Sequence, residues 1–354
     1  MVKPQVNHIK SDIEKLSIYL RSTKKFGKST LFRDVIIEKY GDPTKGLLVQ
    51  CGKERGTKML DNVNTLHIGT YKDFIELVDW LINEKGKEHD IHMVAFDTVD
   101  ELIPLVENEV VRQYNVDNPQ KKVKTINGAH GGYQNGQAEA AKIIKKNMDK
   151  LQENGFGVWG IAHTKFKTIK DKGSLEEDGY MQLTSNLIAP YESAFGDIFD
   201  VTLTGVIDRQ LEDKVIEKDD KTVVKHYSTD TVRKLYFRGT PMIDAGGRFA
   251  YGSVPEYLVF DKPNMAKDFI RIVEEGMEKS KTLTDNPTYE NDNLPEETDT
   301  EKLTFDFDEI RAKFKNADIE TKKEVKKILN EKGNGKLNST LSEEVINEIL
   351  NLLG

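Results

Sequence analysis

The stretch Ser22-Thr23-Lys24-Lys25-Phe26-Gly27-Lys28-Ser29-Thr30 carries residue types that can hold a chain of phosphates. A phosphate-binding loop needs inward backbone N–H groups, a following helix whose N-terminus favours anions, and a lysine reaching the terminal phosphates. Gly27 permits close backbone approach, Lys28 supplies the charge, and the Ser29 hydroxyl can join a Mg²⁺ shell. The pattern G-x-x-x-x-G-K-[ST] is met except at its first position, where Ser22 replaces a glycine that usually serves for conformational freedom. Such a site also requires a carboxylate at the end of a buried strand, to hold the metal's water shell. Met93-Val94-Ala95-Phe96-Asp97 has that form, an apolar run closed by an acid. An acid there is often only a helix cap. Downstream of a Gly-Lys-Ser loop, it points to a nucleotide site.

Other polar groups fall near these two. Asp100 and Glu101 follow Asp97 on the first turn of the next helix, and Glu101 is a further catalytic candidate. His163 and Thr164 close the apolar stretch Phe156–Ala162, where a γ-phosphate could be sensed. An isolated histidine is commonly structural, and only its position singles this one out. Glu54 follows the strand-like Gly46–Cys51 and could polarise an attacking water. Its ordinary reading is a surface glutamate in a turn.

These groups need a scaffold that alternates strands with helices, and the first two-thirds of the chain has that alternation. Residues 16–21, 46–51, 64–70, 91–97 and 156–163 read as strands; 29–40, 71–86, 101–114 and 138–155 carry helical spacing. Residues 115–136 are polar and glycine-rich, hence a loop. The chain beyond the 156–163 strand, to about Asp261, reads mostly β. The acidic, proline-bearing stretch 282–302 reads as a disordered linker, and three short helices follow. The expected organisation is a nucleotide-binding domain over 1–275, a linker over 276–303 and a helical module over 304–354. The fold class is α/β, a mainly parallel sheet with a β-rich C-terminal extension of the core and a small helical tail.

Composition narrows the classes. The chain has 354 residues, 37% apolar and 32% charged, with a net charge of −8. That balance argues against coating duplex DNA by sheer charge, and leaves room for local basic loops. A single cysteine, Cys51, excludes an internal disulfide and a cysteine-based zinc site. No apolar run approaches the roughly 18 residues of a membrane span, and the first residues lack a signal-peptide core. A cytoplasmic protein without membrane contact or structural metal is expected.

Ser22–Thr30, MVAFDTVDEL, the glycine-rich GAHGGYQNG (128–136), GVWGIAHTK (157–165) and the segment 233–260 together resemble the phage AAA-type, RecA-like ATP-binding proteins associated with single-strand annealing and recombination. The resemblance covers about residues 8–262. It implies a RecA-like P-loop NTPase core in which the His163 strand lies between the loop strand and the Asp97 strand. It implies ATP and Mg²⁺ as cofactors, a homo-oligomer, single-stranded DNA as partner, and a bacterial host cytoplasm. Lys28 and Ser29 take the phosphate and metal roles, Asp97 the metal-water role, His163 the sensor role, and Lys25 matches a lysine common in such loops. The family has small residues or prolines at Thr23 and Lys24. A neighbouring subunit's arginine could reach the γ-phosphate, with Arg248 the first candidate and Arg238 the next.

Two basic stretches are candidates for DNA. One combines Lys121, Lys122 and Lys124 with Tyr133; the other combines Lys165, Lys167 and Lys170 with Phe166. Lysines track phosphates while an aromatic stacks on a base, which suits single strands. Lysines also simply solvate loops. The helical tail would dock DNA or a replication or recombination partner, or cap the oligomer. Three functions stay open: a DNA-associated recombination ATPase, a motor or loader of a replication complex, and a nucleotide-binding scaffold without hydrolysis.

Overall fold

The computed structural model describes residues 11–54, 56, 60–170, 179–218, 221–260, 263–285, 310, 313–315, 317–332 and 343–353. A 10-stranded sheet organises the first unit, Met1–Pro287. Its parallel part runs in the order β3 (Asn64–Ile68), β2 (Gly46–Cys51), β4 (Met93–Asp97), β5 (Gly157–Ile169), β1 (Ile18–Ser22) and β7 (Val201–Lys218). β8 (Lys221–Tyr236) and β10 (Tyr257–Val259) continue it antiparallel, beyond β7, and the short β9 (Gly246–Gly247) pairs with the start of β7. Thus β5 lies between the loop strand and the Asp97 strand, the order that the resemblance implies. The register sets Ser22 beside His163, and Asp97 beside Ile161.

Strands buried on both faces read as apolar runs, because successive side chains enter opposite layers. Ile18 and Leu20 pack in the layer of α1 (Lys28–Tyr40) and α6 (Met265–Asp285), where Trp159 meets Phe32 and Phe269 at ring distances of 5.4 and 5.9 Å. Tyr19, between them, enters the other layer. There it stacks 5.4 Å from both Phe195 and Phe199, among α2 (Tyr71–Asn83), α3 (Val99–Asp117), α4 (Asn135–Glu153) and α5 (Ala189–Ile198).

The structure revises several sequence expectations. The stretch expected to be mostly β contains α5, started by Pro190 near its first turn. Helix α6 has Phe269, Ile270 and Val273 buried at helical spacing in its first turns and runs on to Asp285, past the position 276 at which the linker is expected to begin. Residues 286–309, which hold the rest of the expected linker, lie outside the described ones. The second basic stretch is not a loop, because β5 continues to Ile169 and pairs antiparallel with β6 (Tyr180–Ser185). An exposed ribbon that mixes lysines with Phe166 lacks the apolar run that marks a core strand.

The second unit, Thr288–Gly354, has its own small core. Helices Ile319–Lys332 and Glu343–Leu353 bury Val325, Leu329, Val345, Ile346 and Ile349 together with Ile310. Among the described residues no helix is long and apolar enough to cross a membrane.

Candidate nucleotide site

Strand β1 delivers the loop and α1 leaves it. Ser22 is the last residue of β1, buried and extended. Left-handed backbone occurs instead at Lys25, with φ 64°, and at Gly27, with φ 107°. The freedom that glycine usually supplies at the first position of such a loop is not called on at Ser22, because a strand residue has no such requirement. Thr23, Lys24 and Lys25 are exposed, whereas Phe26 is buried and anchors the loop. Its ring lies 4.6 Å from that of Phe260 and occupies the space a side chain at Gly205 would fill. Phe26 thus anchors the loop's shape while also lining the cavity beside it.

Lys28 folds back into the loop. Its ammonium donates to Ser22 O at 3.3 Å, Ser22 Oγ at 3.2 Å and Thr23 O at 3.2 Å. Ser29 Oγ donates to Asp97 Oδ2 at 2.6 Å, so the two groups read separately from sequence converge. A cavity of about 450 Å³ opens here. Lys24, Lys25 and the Gly27–Thr30 turn form its floor, and Glu54, Asp97, Thr98 and His163 surround it. Burial pushes the Lys28 ammonium below its ordinary value, against the pull of Asp97, Asp100 and Glu54. Burial also pushes Asp97 up, although the Ser29 hydrogen bond opposes it. Both charges sit where water screens them little, so a phosphate and a cation would be felt strongly.

His163 is held by Asp100, whose Oδ2 accepts from the His163 backbone N–H at 2.9 Å and lies 3.2 Å from Nδ1. This carboxylate orients the ring, a role the sequence reading did not give it. Buried oxygens Asp100 Oδ1, Thr98 Oγ1 and Thr164 Oγ1 have no hydrogen-bond partner among the described residues. Glu101 turns elsewhere: its Oε2 accepts from Lys53 N–H at 3.3 Å and braces the turn after β2.

Mg²⁺ takes hard oxygen ligands and keeps several waters, usually with one or two carboxylates and the substrate's phosphates. Ser29 Oγ, Asp97 and the partnerless Thr98 hydroxyl fit that requirement. Among the described residues no group of three or more His, Cys, Asp or Glu could cage a metal by itself, so phosphate oxygens would complete the shell.

The other candidates lie apart from this cavity's lining. Lys121, Lys122, Lys124 and Lys165 are exposed, as is Phe166, and Tyr133 is 98% exposed on a left-handed backbone with φ 51°. Lys167 is half-buried and donates to Leu187 O at 2.8 Å. Arg248 is exposed and pairs with Asp200 at 3.3 Å, and the Arg238 guanidinium lies 5.8 Å from the Tyr251 ring centre. Sequence reading also missed Arg21. Buried next to Ser22, it pairs with Glu192 at 3.0 Å and Asp244 at 2.6 Å. Partners 171 and 223 residues away leave no local signal.

A mostly parallel sheet with a glycine-lysine loop entering a helix, and a serine on that helix bonded to an aspartate at the end of the strand two places away from the loop strand, defines a P-loop NTPase. The chain belongs to the AAA_24 family, described as AAA domain, whose model matches residues 14–249. It is thereby an ATP-binding protein of the AAA class. No curated protein matches the chain.

Proposed function

We propose that this protein is a RecA-like, phage-type ATPase that hydrolyses Mg²⁺-ATP and acts on single-stranded DNA in recombination or replication, in the manner of annealing proteins. The observation that carries the hydrolytic reading is the convergence of Lys28, Ser29 and Asp97 on one cavity, with the Asp100-held His163 at its rim. Lys28 neutralises the terminal phosphates, and charge developing there is met by fixed groups in a poorly screened site. Mg²⁺ held near Ser29 and Asp97 would supply further charge stabilisation. Glu54 orients the attacking water and His163 reports on the γ-phosphate.

The DNA reading is supported by continuity: β5 runs from His163 straight into the hairpin bearing exposed Lys165 and Phe166. A shift at the γ-phosphate end would travel along one strand to groups suited to phosphate and base stacking. Assembly into a homo-oligomer would let Arg248 of one subunit approach the nucleotide of another.

The test is ATP turnover by the full chain, with and without single-stranded DNA, over a range of protein and salt concentrations. Turnover should need Mg²⁺, rise with DNA and with protein concentration, and fall as salt screens the lysines. Replacing Lys165 and Phe166 together by alanine should remove the stimulation and spare ATP binding. ATP binding without turnover would leave a nucleotide-dependent scaffold instead. Turnover indifferent to DNA would reject the recombination role.

A further inference from the structure

The small unit Thr288–Gly354 carries a charge pattern that the nucleotide site does not use. Its helix Ile319–Lys332 turns Val325 and Leu329 into the unit's own core, with Ile328 packed against it. Lys322, Lys323, Lys326 and Lys327 fall at positions i, i+1, i+4 and i+5, which gathers them on another face. Lys323, Lys326 and Lys327 are exposed, and Lys322 is half-buried.

This spacing sets lysine against lysine one turn apart, Lys322 with Lys326 and Lys323 with Lys327. Like charges so placed destabilise a helix. Helices of the first unit use comparable spacings to join opposite charges: Lys72 meets Glu76 at 3.4 Å, Lys142 meets Glu139 at 2.6 Å, Lys145 meets Asp149 at 3.1 Å and Lys279 meets Glu275 at 3.6 Å. Among the described residues none of the four tail lysines has an acid partner. Glu324, exposed on the same helix, forms no ion pair with them. Asp318 is engaged at the helix start, accepting from the Thr321 N–H at 2.9 Å and its hydroxyl at 2.7 Å. The repulsion on this face therefore calls for an anion from outside the described residues.

We propose that this face binds the phosphate backbone of a DNA strand, a second contact that deepens the DNA reading above and rests on it. Repeated ammonium groups match the repeated charge of a polymer, and each phosphate they neutralise releases a counterion. The helix carries no aromatic residue to stack on a base, so the contact is independent of sequence. A protein partner fits the face poorly, since interface cores are depleted of lysine and rely on aromatic anchors. A membrane fits it poorly too. A helix lying on lipid inserts its apolar face, and here Val325 and Leu329 are already buried.

The experiment follows the anisotropy of a fluorescent thymidine oligonucleotide titrated with the full chain, over about 50–200 mM salt. One variant changes Lys322, Lys323, Lys326 and Lys327 to glutamine. A control changes Lys72, Lys142, Lys145 and Lys279 to glutamine, the same loss of charge elsewhere. In the tail variant the slope of log affinity against log salt should shrink by about 0.7 for each lysine that meets a phosphate, up to about 3 in all. Affinity at the lowest salt should fall at least about tenfold, and the control should keep both slope and affinity. Glutamine is a good helix former and removes the two repulsive pairs, so the circular dichroism of the variant should match the natural chain. Lys323→Gln alone should shrink the slope by about 0.7, which keeps the test open if the fourfold change disturbs the module. A tail variant with unchanged slope and affinity would overturn the proposal, as would a control that loses as much. If the Lys165 and Phe166 double variant still weakened binding in either case, the DNA reading would stand without the tail. A natural chain that binds no oligonucleotide would overturn both. Tail-dependent binding to phosphatidylserine vesicles, with oligonucleotide binding unaffected by the tail variant, would overturn the proposal in favour of a membrane.

Discussion

The Ser22 hydroxyl accepts a hydrogen bond from the Lys28 ammonium at 3.2 Å and itself donates to Thr23 O at 2.9 Å. The residue that breaks the consensus thus forms part of the resting seat of the lysine that completes it.

Substituting Lys28 by alanine should weaken ATP binding about 10–100-fold, the worth of a charge-assisted contact of roughly 1.5–3 kcal/mol. Isothermal titration with Mg²⁺-ATP measures it. An unchanged affinity would remove Lys28 from the phosphate site.

Ser22→Gly should bind ATP within about tenfold of the natural chain, because the Lys28 ammonium loses the hydroxyl contact but keeps its carbonyl partners Ser22 O and Thr23 O. Its melting temperature should drop by about 2–4 °C, as glycine in an extended strand costs roughly 0.5–1 kcal/mol. A more stable protein would mean that the serine is strained, contrary to its place in β1.

Asp100 acts through His163, so Asp100→Asn should lower turnover about 10–100-fold, as loss of an orienting partner does elsewhere, with little change in the KM for ATP. In a His163→Gln background the same substitution should add little, since coupled positions are non-additive. Full additivity of the two losses would show that Asp100 works independently of the imidazole.

Glu14 ties the start of the domain to its core, accepting from Tyr40 Oη at 2.9 Å and pairing with His92 Nδ1 at 3.0 Å. Burial raises its carboxyl, but the hydrogen bonds from His92 and Tyr40 and the neighbouring positive charge outweigh it, leaving the group below its ordinary 4.5. A depressed acid stabilises the fold above its unfolded value, and that contribution is lost as pH falls through the folded value. Glu14→Gln should therefore melt a few degrees lower near pH 7, about 1 kcal/mol or less for a partly exposed pair. The gap should close as pH drops below 4.5. A gap that is constant across pH would trace the loss to packing.

A chain ending at Pro287 should fold and bind ATP, since Met1–Pro287 is a compact unit with its own core. One ending before α6 should not, because removing the buried Phe269 side chain alone costs about 3–5 kcal/mol. Circular dichroism melts of the two truncated chains decide the matter; equal stability would show that α6 is dispensable.

Features of this protein whose physics is local were legible in the residues themselves. Gly27-Lys28-Ser29 between a strand and a helix, the apolar run closed by Asp97, and the alternation of strand and helix periods are each carried by neighbouring residues. Tertiary structure decided whatever joins distant segments. Arg21 reaches Glu192 and Asp244, Ser29 reaches Asp97, and Arg233 with Phe260 walls the loop at Gly27. It also turned the Lys165–Lys167 stretch into a strand, because an exposed ribbon is specified by its partner's backbone and not by its own apolar period. Even the meaning of Ser22 was non-local: a loop position by consensus, it is held extended between His163 and Gly205 by the strands on either side.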